Sequence, residues 1–181
     1  MRPGEALEHL SREQLLQLIT AYSRNWLAMD GVWFQSIERK FGMDEAMYHD
    51  IQAWQRFTVT EARRIKKFLN LPDRPGLPGL KAALSLRFMA NLCHYEFVEG
   101  EHTLTLRNLD CRVQTARLDK GMPLHPCKPA GEAEYSGFAR TIDDRIRCRC
   151  LSCCLLSRSS LCCLAVFLSD LLNNTSKVCN R

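Results

Sequence analysis

Four cysteines, Cys111, Cys127, Cys150 and Cys153, carry the most definite chemistry that residue type and spacing offer in this chain. Cys150-Leu151-Ser152-Cys153 is a C-x-x-C, whose two thiolates can reach one ion from a tight turn. Zn²⁺, or alternatively an iron-sulfur cluster, is the natural occupant of four converging thiolates. Such a zinc site is structural, because four thiolates leave no open position for water. Cys111 and Cys127 form no second knuckle, so only the fold can bring them in. Ordinary small buried residues are the alternative reading for both. Cys148 and Cys154 are spare thiols beside the pair. His125 could replace one ligand, but a lone histidine in a proline loop reads more simply as solvated.

Acid and base groups are fewer. Asp30, Glu61 and His94 are candidates for proton transfer in a pocket, although surface or capping roles account for the same three residues. There is no serine nucleophile elbow, since Ser136-Gly137 lacks the preceding glycine, and no H-E-x-x-H motif. Trp26, Trp33, Phe34, Trp54 and Phe57 could line an apolar cavity between helices. A packed helical core explains the same aromatics without a ligand and is the favoured reading.

These residues need elements to hold them. Ser11 stands three positions before Gln14, a capping-box spacing. Leu15, Leu18, Ile19, Tyr22 and Trp26 then lay an apolar stripe on a helix that the Asp30-Gly31 pair should close. A short second helix follows with Trp33, Phe34, Ile37 and Phe41, stopped at Gly42. A third reads from Asp44 to about Leu69, with Met47, Ile51, Trp54, Phe57, Ala62, Ile65 and Phe68 on its buried side and weak helix formers at Thr58, Val59 and Thr60. After "LPDRPGLPG" comes a helical stretch around residues 80 to 93. The period then changes: Tyr95, Phe97, Leu104 and Leu106 alternate across Glu99-Gly100 as a β-hairpin. "CRVQTARLDKG" returns to helix, and "EAEYSGFARTIDDRIRCRC" reads as loop plus strand. The fold class is therefore α+β, a helical N-terminal half followed by a small antiparallel sheet with a cysteine cluster.

Composition bounds the partners. The chain has 181 residues, 46% hydrophobic and 25% charged, with a net charge of +5 spread among interspersed acids. Such a chain suits one globular domain and lacks the dense basic stripe of a nucleic-acid binder. "MRPGEALEHLSREQ" has no apolar run of signal length, which places the protein in the cytoplasm, where clustered cysteines mean metal or redox chemistry more often than disulfides.

Residues 8–153 form the expected domain. From Cys154 the 28-residue tail has four charged side chains and no Trp, Tyr, Gly or Pro. It is set apart as an atypical, poorly ordered Cys/Leu/Ser-rich segment. Its apolar run approaches the length of a membrane span, but Arg158 and Asp170 lie inside it, so no membrane insertion is expected.

"LSREQLLQLITAYSRNWLAMDGVWFQSIERKFG", "DIQAWQRFTVTEARRIKKFL", "CRVQTARLDKGMPLHPCKPAGEAEYSGFARTIDDRI" and "RCLSC" together resemble a DUF-type family of uncharacterised prokaryotic cytosolic proteins. More distantly, they are similar to L-2-amino-thiazoline-4-carboxylic acid hydrolase-like proteins and to small-molecule-binding vinyl-reductase-type domains. The resemblance implies that the cysteines matching Cys111, Cys127, Cys150 and Cys153 act together. It also implies a Pro-Pro-Asp-like turn after the C-x-x-C and a further strand with one more cysteine flanked by tryptophans. Cys154-Leu155-Leu156 stands there instead, and a reading-frame change near codon 154 is the economical explanation. The functional expectation is a small-molecule-binding or sensing module with a thiolate metal site. The alternatives are a hydrolase for a small cyclic amide-like or thiazoline substrate, and a structural interaction protein.

Overall fold

Ser11 begins the first long helix with both halves of a capping box: its hydroxyl accepts from the Gln14 N–H at 3.2 Å, while its own N–H donates to the Gln14 side chain at 2.8 Å. The computed structural model describes residue 2 and residues 4–152 and 162–168. Helix α1 runs unbroken from Arg12 to Phe41. The stop expected at Asp30-Gly31 does not occur, because one interior glycine costs a helix only about 1 kcal/mol relative to alanine. The break comes at Gly42, whose φ of 92° suits a residue without a Cβ. Helix α2, Met43–Phe68, starts at once.

Thr58, Val59 and Thr60 lie inside α2, and the Thr58 hydroxyl donates to the Glu134 carbonyl at 2.8 Å. A weak helix former thus has a tertiary partner there. Where one helix was expected around residues 80 to 93, α3 covers Gly76–Leu84 and a separate 3-10 turn covers Phe88–Asn91. Arg87 stands between them in extended conformation.

The hairpin is as the alternation requires: β1, Tyr95–Glu99, pairs antiparallel with β2, Thr103–Asn108, with Phe97 opposite Leu106. Helix α4 spans Arg112–Asp119, with Gly121 just beyond it at φ 65°. Residues read as loop plus strand divide differently, into helix α5, Lys128–Ile142, and strand β3, Ile146–Ser152. Gly131 and Gly137 argue against helix by propensity. At Gly137, however, the bare backbone is needed, since a Cβ there would meet Thr58 Cγ2 at 2.7 Å. Close passage of α2 and α5 overrides the local preference.

Strand β4, Cys162–Leu168, completes an antiparallel sheet of order β1-β2-β4-β3. Leu106 faces Leu164 on one side and Arg149 faces Ala165 on the other. The sheet therefore extends past the boundary drawn after Cys153, and a segment of the atypical tail is an inner strand. Helical front and antiparallel sheet together make the α+β class.

The main core joins sheet and helices through Leu80, Leu84, Leu104, Phe138, Ile142 and Ile146. A smaller core of Phe34, Ala46, Met47 and Ala130 joins α1, α2 and α5. The five aromatics do not form one core: Phe34 is buried, Trp54 and Phe57 are half-buried, and Trp26 and Trp33 are exposed. Ile19, Tyr22 and Phe68, expected on buried faces, are exposed too. Among the described residues, no helix is long and apolar enough to cross a membrane.

Candidate functional site

A cavity of about 510 Å³ opens among α1, α2, α4 and the start of α5, with the hairpin at one side. Helix α1 turns Gly31 and Phe34 toward it, and α2 contributes Asp50 and Trp54, one helical turn apart on one face. Leu92, Leu106 and Ala130 add apolar wall.

The polar side centres on His125. Gln114 of α4, itself buried, pins the backbone around it: its Nε2 donates to the His125 carbonyl at 2.7 Å and its Oε1 accepts from the His125 N–H at 2.9 Å. The imidazole Nε2 then lies 3.5 Å from Asp50 Oδ2, with 11% of the His125 side chain and 8% of the Asp50 side chain exposed. The ring also packs on Phe34, centroids 4.7 Å apart. Burial alone would lower the His125 pKa, but hydrogen bonds to Asp50 and Cys127 outweigh it and push it up to about 9. Asp30 moves in the other sense for its type. Burial and the nearby Asp50 charge push its carboxyl up to about 6, with His125 offsetting part of the rise.

A second buried cluster borders the same cavity through Glu134 and Tyr135. Arg87 is fully enclosed, with Nη2 at 2.9 Å from Glu61 Oε2 and 2.6 Å from Glu134 Oε1. Tyr135 and Phe138 rings stand 5.1 and 4.9 Å from its guanidinium carbon. Burial lowers the Arg87 pKa, yet Glu134 and Glu61 raise it further, so the guanidinium stays charged.

The sequence candidates are therefore dispersed. Asp30 lines the cavity, whereas Glu61 is tied to Arg87 and does not. His94 has 84% of its side chain exposed and pairs with Asp110 at 3.1 Å, far from a pocket base in character. Cys111 and Cys127 are the N-cap residues of α4 and α5, and both line the cavity. Burial, with Cys127 nearby, raises the Cys111 thiol. Cys150 sits on β3 and is not among the lining residues. Cys153 lies outside the described residues.

Among the described residues, no group of three or more His, Cys, Asp or Glu side chains is disposed to hold a metal ion. They do not by themselves make up the four-thiolate set. His125 is a further correction: it is enclosed and paired rather than solvated, because Gln114 and Phe34 hold it in the wall.

Asp50, Gln114, Glu134 and Arg87 escaped sequence reading. Arg87 alone had a visible signal, a single cation inside the apolar run "LSLRFMANL". The model of a family described as a family of unknown function, DUF6125, matches residues 8–164, which reaches into β4. No curated protein matches the chain.

Proposed function

The chain belongs to DUF6125, a family of unknown function, and on that premise we propose that it is a small-molecule-binding or sensing module that holds its ligand in the cavity beside His125. The observation that carries this reading is the cavity, whose 510 Å³ falls within the roughly 300–1,000 Å³ of ligand pockets. Its apolar wall of Phe34, Trp54 and Leu106, set against Asp30, Asp50 and His125, suits a ligand with an apolar body and one hydrogen-bonding end.

Gly131 provides the test. It lines the cavity, and a Cβ built there meets nothing within 4 Å. Gly131→Phe fills the cavity from an open position. Compounds that quench Trp54 fluorescence and raise the melting temperature of the wild type are expected to do neither to Gly131→Phe, itself folded by circular dichroism. Equal binding by both proteins would remove the cavity as the site.

Two narrower readings use the same wall. Hydrolysis of a small cyclic amide-like or thiazoline substrate is supported by the succession Asp50, His125, Cys127. There, Cys127 would pass its thiol proton to His125 as Sγ bonds to the ring carbon and the ring C–N bond breaks, His125 would hand that proton to the leaving nitrogen, and a water that loses its proton to His125 would then displace the sulfur, which takes the proton back as the thiol. Loss of turnover in Cys127→Ser checks it. Thiolate binding of zinc or an iron-sulfur cluster is supported by the nearness of Cys111 to Cys127. Metal analysis beside Cys111→Ser and Cys153→Ser checks that one, and equal metal content in all three proteins removes it.

A further inference from the structure

The strongest feature outside the cavity is an exposed apolar stripe of α1. Ile19, Tyr22, Trp26, Met29, Val32 and Trp33 are all 46 to 63% exposed. At ordinary side-chain areas they leave on the order of 800 Å² in solvent, about what one partner gives to a standard interface. Monomers rarely expose an apolar patch of that size.

The spacing says what could cover it. Half-buried Leu15 and the exposed Ile19, Tyr22, Trp26, Met29 and Trp33 follow each other in alternating steps of four and three, with Val32 flanking them, a coiled-coil seam rather than a scatter of apolar residues. None of these seam residues is charged. The set is also self-complementary under an antiparallel two-fold near residue 24, which places Ile19 against Met29, Tyr22 against Trp26 and Leu15 against Trp33. Every seam residue then meets a seam residue, as a two-fold interface requires. Opposed helix directions bring unlike dipole ends together. Trp26 is stacked on Phe57 at 5.0 Å, so part of the seam is already held in place.

We propose that α1 is a homodimer interface, formed by antiparallel pairing of this seam with the same seam of a second copy. Trp, Tyr and Met are the side chains enriched in such interfaces. The pairing leaves the cavity uncovered, because Arg24, Gly31 and Phe34 line it from another side of the helix. The inference is independent of ligand binding.

Sedimentation velocity on the full chain at micromolar concentration tests it. The wild type is expected to run as a dimer and Met29→Lys as a monomer with an unchanged circular dichroism spectrum. Ile19→Glu combined with Met29→Lys should restore the dimer, because antiparallel pairing brings each glutamate to a lysine of the other copy. A monomeric wild type would assign the seam to a different partner and overturn the proposal. So would a Met29→Lys protein that remains dimeric, or a double variant that stays monomeric.

Discussion

Arg87 Nη2 meets Glu134 Oε1 at 2.6 Å inside the protein, linking the segment after α3 to the middle of α5. The same guanidinium reaches Glu61 of α2 through Nε and Nη2, both at 2.9 Å. One cation thus stands between two carboxylates on different helices. Removing it leaves both carboxylates without this cation, Glu61 keeping only the Phe88 N–H at 3.4 Å.

Arg87→Met is expected to lower unfolding stability by about 3–5 kcal/mol, the usual cost of breaking a buried pair from one side. Urea unfolding measures this. Changing Glu61 and Glu134 to leucine in the same protein should recover most of the loss, since no unpaired charge then remains buried.

Two glycines of α5 should respond in opposite directions. Gly137→Ala drives a Cβ to 2.7 Å from Thr58 Cγ2 and is expected to cost about 1–3 kcal/mol by overpacking the α2–α5 crossing. Gly131→Ala meets open space and should gain up to about 1 kcal/mol from helix propensity. Thermal melts of the pair compare them directly.

Asp143 sets an acid limit. Hydrogen bonds from the Arg145 side chain, together with the Gly76 and Arg145 N–H groups, outweigh its burial and hold its carboxyl down to about 2. The folded state therefore binds this proton less readily than the unfolded chain does. Its contribution is complete above the unfolded carboxyl pKa, near 3.8, and is lost as pH falls toward 2. A shift of that size corresponds to about 2 kcal/mol. Asp143→Asn should lower stability at neutral pH and flatten this part of the acid titration, read from urea midpoints at successive pH values.

Ending the chain at Cys153 should abolish cooperative unfolding rather than trim a dispensable segment. The truncation removes β4 from between β2 and β3 and bares both strands, and unpaired strand edges favour aggregation. A soluble 1–153 protein with a sharp thermal transition would show that β4 is not required.

How much of this could be read from the residues alone follows from the range of each interaction. Ser11 and Gln14, the Tyr95–Asn108 hairpin and the stop at Gly42 depend on neighbours in sequence, and local pattern identifies them. Helix α5 does not, because the benefit of Gly137 lies on Thr58 of another helix. The cavity is of the same kind. Cys111 and Cys127 attract notice as thiols, but His125 gains its setting from Gln114 and Phe34, and Asp50 looks like any polar residue of a helix. The apolar seam of α1 was legible as periodicity. Its direction was not, since a stripe at helical spacing looks the same whether it faces a core or solvent.

The position of β4 also governs when the fold can close. The β1–β2 hairpin and the α5–β3 unit are each available early, yet they become one sheet only when Cys162–Leu168 arrives between them. Contacts between β2 and β4 span α4, α5 and β3, a long-range closure that slows folding. During synthesis the two halves must wait with their inner edges uncovered, so the arrival of β4 is the step at which a chain emerging from the ribosome either commits to this sheet or pairs with a neighbour.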